Sequence, residues 1–554
     1  MRKPSHLYLC LLFMVTALLA AKQFLVGGYY CVILLDDTRV YVGWARQFLQ
    51  GLGEGVFYPR WLPDECNGYG SPTFLLYPPL FFYATAAMAE LTGSLLVGMN
   101  LVRWLSLFLT VAGVFCLLRE IFTTRSAFMA ALCYLLFPLT ILQQYICGSF
   151  AATVSTVWYA PLLLQLLRHH RGRKASPLIW GGLCYGGLLL THLINAYMFV
   201  LVMAALLLAL ALVARRPAEL WALPVVVGLG ALVSAAYLLP VAFERSHLQV
   251  SAFVTQGPGF LYSYFFFYPN RLHLIPPHVI KFWQGFHRMY LVYELLLVAV
   301  LACSLLRLVR SRARQLSTEK AASLTAAFLA VALLTMYPTV GASEWMWRSI
   351  PFFNYIQFPY RWVPLTALLC TPAAAWLWAK QEEALPAANF VKAATVTVLA
   401  MAAVDLCYIW EARGVTEAEL SAQTSPSPRE HMPAGAAVAG LLSSGKAEVT
   451  AGRGSASVVR WQSTRREVAV IADGAVTIRL RTFYFPGWRS YLDGSPAAVG
   501  IEPGSGALLA QVPPGRHRLE LVFEDTPARK LGKALSLASL PALAVLLLIF
   551  RRPR

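Results

Sequence analysis

The chain has 554 residues, of which 58% are hydrophobic and only 13% charged, with a formal net charge of +19. That balance, with a mean hydropathy of +0.58, excludes an ordinary water-soluble globular protein of this length. It also argues against a nucleic-acid partner, because Lys and Arg are scattered through short loops between apolar runs and form no single polar face.

Apolar runs of roughly 16–21 residues recur along the chain and read as membrane spans. The first covers about 7–27, and Arg2, Lys3 and His6 place its start in the cytoplasm. Its N-terminal part resembles a secretory signal, but the long apolar core and the spans that follow favour a retained helix. The polar, irregular stretch Asp36 to Leu80 then faces the exterior. Non-helical backbone cannot face lipid, so this stretch is where chemistry is expected.

The next apolar stretch, 73–92, contains Pro78, Pro79 and Glu90. If it crossed, Arg119, Arg125 and the basic run Arg168 to Lys174 would fall outside, so it is read as an interfacial helix. Spans are then predicted near 99–119, 126–143, 151–167, 178–192, 195–214 and 220–240. A long external loop, 241–289, precedes further spans near 290–309, 320–337, 359–379 and 390–409. Residues 411–446 read as a linker. Residues 447–530 alternate with period two between turns such as Asp473-Gly474 and Asp493-Gly494, which predicts an external antiparallel β-sandwich. Segment 531–554 carries a last helix, near 533–550. The predicted fold is an α-helical polytopic membrane protein of about twelve spans, with the β-sandwich before the last helix. No internal repeat is apparent, and no broken helix is read from the sequence.

The ten cysteines form no CxxC pair and no metal spacing. Cys31 and Cys66, flanking the first external loop, are the pair open to a disulfide. Asp36 and Asp37 are adjacent carboxylates beside a span, a costly placement that points to a role. Asp37 is favoured because it precedes a helix-like stretch from Thr38 to Leu49; helix capping is the competing reading. In Tyr58-Pro59-Arg60-Trp61, Arg60 has the geometry to grip a phosphate with two parallel hydrogen bonds; a headgroup contact competes. Tyr77 offers a phenol at the same depth, against the reading of an interfacial tyrosine. His192, followed by Asn195, stands at the outer end of a span and suits a phosphate or an acceptor hydroxyl; a structural histidine competes. Gln143, Gln144 and Tyr145 are weaker polar candidates. In Gln357-Phe358-Pro359-Tyr360-Arg361-Trp362, Arg361 opens a helix against its dipole and therefore wants an anion. Loop 241–289 adds His247, Arg271, His273, His278, Lys281, His287 and Arg288. No HExxH, GxSxG or Walker-type motif stands in a supporting context.

The blocks YPRW, GYGSPTFLLYPPLFFY and QFPYRW, together with the β-region FYFPGWRSYLDG, resemble the bacterial YfhO-like membrane proteins. Those, and the related 6-pyruvoyl-tetrahydropterin synthase-related membrane families, are similar to the GT-C glycosyltransferase superfamily. The resemblance implies a GT-C-like membrane domain over 1–410, with external loops 28–98 and 241–289. It implies an enzyme of a bacterial cytoplasmic membrane that uses a polyprenyl-phosphate-linked sugar at the outer face and passes it to an envelope glycan, lipid or protein. The superfamily's catalytic acid falls on Asp37 or Asp36. Contacts to the lipid phosphate or sugar fall by position on Arg60, Tyr77, His192, Arg361 and Gln357. The second acid of the superfamily has no clear match, with Glu244 and Glu344 both open. No cofactor is required, and a divalent metal is compatible with the scheme. The rival readings are a transporter or flippase for lipid-linked glycans, and a non-catalytic assembly protein whose β-domain binds polysaccharide.

Overall fold

The computed structural model describes residues 6–25, 29–30, 37–137, 140, 149–250, 295, 297–300, 302, 319–384, 386–411, 414–415, 428–437 and 445–551. Six of the described helices are long and apolar enough to cross a membrane: Leu95–Arg119, Phe150–Gly172, Leu193–Ala214, Ala321–Thr339, Pro359–Glu382 and Pro527–Phe550. In chain order the helices are α1 (His6–Leu25), α2 (Thr38–Gly53), α3 (Leu80–Thr92), α4 (Leu95–Arg119), α5 (Thr124–Leu135), α6 (Phe150–Gly172), α7 (Ser176–Thr191) and α8 (Leu193–Ala214). They continue with α9 (Ala222–Val233), α10 (Ala235–Glu244), α11 (Glu319–Met336), α12 (Val363–Ala384), α13 (Ala387–Glu411) and α14 (Pro527–Arg551). The expected total of about twelve spans is not reached among the described residues. The first apolar helix segment runs only from His6 to Lys22, and most of 290–309 lies outside them.

α3 has 13 residues. At about 1.5 Å per residue it is too short to cross the roughly 30 Å hydrocarbon layer. It turns sharply into α4 through Gly93, whose φ of +70° is left-handed, and Ser94, whose hydroxyl accepts from the Val97 amide.

The predicted continuous span at 220–240 is instead broken. α9 and α10 meet at Ser234, and the two halves are bent by 87°. The Ser234 hydroxyl donates to the Gly230 carbonyl at 2.8 Å. The freed backbone groups just after the break are taken up by distant residues. The Ala236 amide donates to Ser536 Oγ of α14 at 2.8 Å, and Arg60 donates to the Ala236 carbonyl, also at 2.8 Å. α14 can press this close because of Gly532, where a Cβ would stand 2.5 Å from the Ala235 carbonyl oxygen. α14 also begins at Pro527, earlier than predicted. Its first turn stays polar because Arg529 is buried against Glu244 of α10, with Nε 3.1 Å and Nη2 2.6 Å from Oε2.

The β-module stands before α14. Its strands are β3 (Ala447–Ala451), β4 (Gly454–Trp461), β5 (Arg465–Ala472), β6 (Val476–Phe483), β7 (Trp488–Leu492), β8 (Ser495–Ala497), β9 (Val499–Ile501), β10 (Ala507–Val512) and β11 (Gly515–Phe523). A short pair, β1 (Tyr29–Tyr30) with β2 (Gly414–Val415), lies outside the module. Two sheets form, ordered β3-β6-β10-β9 and β4-β5-β11-β7-β8, with antiparallel neighbours throughout. Alternate residues of each inner face, among them Val468, Val470, Ile478, Leu480, Leu508 and Leu519, share one core. That core also takes Trp61, Tyr69 and Leu75 from the loop between α2 and α3. The loop's fold depends on Gly70, with φ +79°, where a side chain would strike the Trp61 indole. The loop and the module are joined by the Phe483 amide donating to the Tyr69 carbonyl at 2.9 Å.

Candidate functional site

α2 is amphipathic and buries Tyr41, Trp44, Ala45 and Phe48 against α3 and its preceding loop. Asp37 stands at its N-cap position, but its side chain makes no capping hydrogen bond, and it is exposed. One turn on, the Tyr41 hydroxyl is hydrogen-bonded to the Tyr77 hydroxyl, so the two phenols form a buried pair. Ser149 also bonds the Tyr41 hydroxyl. Burial holds both phenols above their ordinary pKa, and the Asp37 carboxylate pushes in the same direction. They are therefore neutral hydroxyls at physiological pH, able to donate.

The charge of Arg361 also reaches Tyr77, opposing its upward shift. Arg361 projects from the 3₁₀ turn Pro359–Trp362 that leads into α12. Its Nη1 donates to the Ile356 carbonyl at 2.9 Å, and its Cζ lies 5.2 Å from the Phe358 ring centre. The chain is tightly wound here: Gln357, half-buried, has φ +64° and ψ −50°, a strained conformation for a residue with a Cβ.

His192 joins α7 to α8 in extended backbone and caps α8, its Nδ1 accepting from the Asn195 amide at 3.2 Å. Burial first and the charge of Arg361 second lower its pKa to about 3, so the ring is neutral. Asn195 in turn donates to the Ala152 carbonyl and to Ser155 Oγ, tying α8 to α6. Asp37, Tyr77, His192 and Arg361 thus lie within electrostatic reach in a chain, with the phenol pair at its centre.

Arg60 does not join them. It is 3% exposed, stacked 3.9 Å from the Tyr58 ring centre, bonded to the Ala236 carbonyl and 3.6 Å from Asp525. Of the two acids left open, Glu244 is buried and occupied by Arg529, and Glu344 pairs with Arg348 on its own helix. Cys66 is buried, while Cys31 lies outside the described residues. So do Asp36, Gln143, Gln144, Tyr145 and the loop residues Arg271, His273, His278, Lys281, His287 and Arg288. His247 sits instead against Phe485 of the β-module, ring centres 6.3 Å apart.

Sequence reasoning missed Tyr41 and His431. Tyr41 was reachable, standing one helical turn after Asp37. His431 comes from the linker and gave no signal. Its ring stacks on Trp44 at 5.0 Å and lies 6.2 Å from Tyr77, and its carbonyl accepts from Ser71 Oγ. Among the described residues no group of three or more His, Cys, Asp or Glu could hold a metal.

The model of the 6-pyruvoyl-tetrahydropterin synthase related domain, a membrane protein family, matches residues 74–412. The chain belongs to this family. The matched region holds Tyr77, His192, Gln357 and Arg361, whereas Asp37 and Arg60 precede it and the β-module follows. No curated protein matches the sequence. Among solved structures, the chain is similar to the apo oligosaccharyltransferase of Archaeoglobus fulgidus, with TM-score 0.44, 15% identity, and 77% of this chain and 61% of that one covered. It is also similar to the mycobacterial arabinofuranosyltransferase AftD, with TM-score 0.40, 15% identity, and 73% of this chain and 26% of that one covered. A third is ArnT from Cupriavidus metallidurans bound to undecaprenyl phosphate, with TM-score 0.35, 14% identity, and 68% of this chain and 79% of that one covered. The chain spans about three fifths of the archaeal enzyme's length.

Proposed function

We propose that this family member is a membrane glycosyltransferase that moves a sugar from a polyprenyl-phosphate carrier to an envelope glycan, lipid or protein. The acceptor side is the outer face of a bacterial cytoplasmic membrane. The observation that carries this reading is the phenol pair Tyr41–Tyr77, acted on by the exposed carboxylate of Asp37 and by the half-buried guanidinium of Arg361. A base for the acceptor and a cation for the leaving group are what displacement of a phosphate requires.

Asp37 takes the proton of the acceptor hydroxyl as its oxygen bonds to the anomeric carbon. The bond from that carbon to the phosphate oxygen breaks, and the carrier phosphate leaves with the electron pair. Arg361 and the phenol hydroxyls stabilise the charge it gains. A single displacement inverts the anomeric centre. The leaving phosphate needs no protonation, so one carboxylate suffices.

One observation favours the transporter reading: the helix broken at Ser234. Its freed amide and carbonyl at Ala236 are, however, taken by Ser536 and Arg60, which makes the break a joint for α14.

The test is mass spectrometry of lipid-linked sugars and surface glycans with the wild-type gene, without it, and with Asp37→Asn. Loss of one glycan and build-up of its carrier-linked sugar in both the deletion and the variant, at normal membrane levels of the variant, is expected. Full transfer by Asp37→Asn would overturn the role given to that carboxylate.

A further inference from the structure

Another buried arginine stands where the external loop meets the β-module. Arg466 of β5 is 1% exposed. Indole rings cover it, with its Cζ 4.4 Å from the Trp461 ring centre and 5.0 Å from that of Trp488. Its Nη1 donates to the Arg481 carbonyl at 3.0 Å. Its Nε and Nη2, the two nitrogens that form the side-on fork, have no hydrogen-bond partner among the described residues. Four more buried polar groups of the same region share that condition: Trp61 Nε1, Trp488 Nε1, Arg481 Nε and Thr482 Oγ1. Trp61 and Trp488 meet edge to face at 5.3 Å.

The contrast with Arg529 is informative. The same fork of Arg529 is filled by Glu244. No described carboxylate stands within ion-pair distance of Arg466. The charges of Asp64, an exposed residue, and then of Glu54 reach it from beyond that distance, and Glu54 is bonded through Oε2 to the Ser463 amide and hydroxyl. Glu467, the next residue, faces the other side of the sheet and is ringed by Arg460, Arg465 and Arg518. Burial lowers the Arg466 pKa to about 9, which still leaves it charged at neutral pH. A buried charge among donors calls for an acceptor, and the fork's geometry matches two oxygens of one oxyanion.

We propose that Arg466, with the indole N–H groups of Trp61 and Trp488, binds an oxyanion, a carboxylate or phosphate group, at the joint between the external loop and the β-module. The blocks YPRW, GYGS and FYFPGWRS, set apart in the sequence, converge here through Trp61, Tyr69, Phe483 and Trp488. The bound group would lock the loop to the module, and it does so whether or not the chain transfers sugar.

Thermal unfolding of the full chain in detergent tests this, because a ligand of the native state alone raises the midpoint by mass action. Sodium phosphate and sodium glucuronate are added at low concentration against sodium chloride of equal ionic strength. The midpoint is expected to rise with one or both anions and not with chloride. Arg466→Met should abolish the rise, and Trp488→Phe, which keeps a ring but loses the N–H, should shift the half-effect to higher concentration by several-fold. A response to phosphate alone assigns a phosphate, and one to glucuronate alone assigns an acidic sugar. No anion-specific rise in the wild type, or an equal rise in Arg466→Met, overturns the site and leaves the fork to water.

Discussion

Two segments of this chain look alike and behave differently. Tyr58-Pro59-Arg60-Trp61 and Phe358-Pro359-Tyr360-Arg361-Trp362 both place an arginine between aromatics after a proline. Both offer the same chemistry on paper. Arg60 ends buried in a structural joint, holding the Ala236 carbonyl just beyond a broken helix and facing Asp525. Arg361 keeps one backbone contact and stays half-buried, its charge felt by Tyr77 and His192. Local sequence sets the side chain's surroundings within a few residues. What the arginine does is set by residues more than 150 positions away, here Ala236 of α10 and Asp525, just before α14, for Arg60.

The largest expected effect lies beside Arg60. Glu244→Gln leaves Arg529 a buried charge without its counterion, which costs about 3–5 kcal/mol and is read as a large drop in the unfolding midpoint in detergent. Replacing both, Glu244→Leu with Arg529→Leu, should recover most of the loss. Recovery of transfer along with stability would mark this joint as structural. Next comes the direct contrast. Arg361→Met should lower sugar transfer at least about 100-fold by removing charge stabilisation of the leaving phosphate, with a midpoint close to wild type. Arg60→Met should do the reverse, losing about 1–3 kcal/mol through the unsatisfied Ala236 carbonyl and Asp525 and losing transfer only as folded protein is lost. Equal effects of the two on specific activity would erase the distinction.

Much of this was legible from the sequence, for identifiable reasons. The β-module announced itself because a half-buried strand alternates with period two, as β6 does from Val476 to Phe483. Asp37, Tyr77, His192 and Arg361 stood out because polar groups at the ends of apolar runs are costly there without a role. The break at Ser234 was not legible. Hydropathy is continuous across 220–240, and what stabilises the bend is Ser536 and Gly532 of α14, some 300 residues on. His431 was hidden for a related reason: only the folded linker brings it onto Trp44.

The smallest expected effect sharpens the same contrast through pH. His192 has its pKa lowered to about 3 from an ordinary 6.5, by burial and then by Arg361. Between those values the unfolded chain binds a proton that the folded chain refuses. Stability is therefore full above pH 6.5 and falls as pH drops toward 3, by up to about 1.4 kcal/mol per pH unit for one proton. His431, lowered to about 3 by burial alone, adds a second proton with the same sign. Unfolding measured in detergent across this window should show His192→Gln losing one proton from the slope. Arg361→Met, by removing a repelling charge, should raise the His192 pKa, so that its share of the slope ends at a higher pH. Arg60→Met, whose charge acts on neither imidazole, should lower stability by a constant amount and leave the slope as it was. If Arg60→Met changed the slope and Arg361→Met did not, the cation beside His192 would have been misidentified, and with it the group assigned to the leaving phosphate.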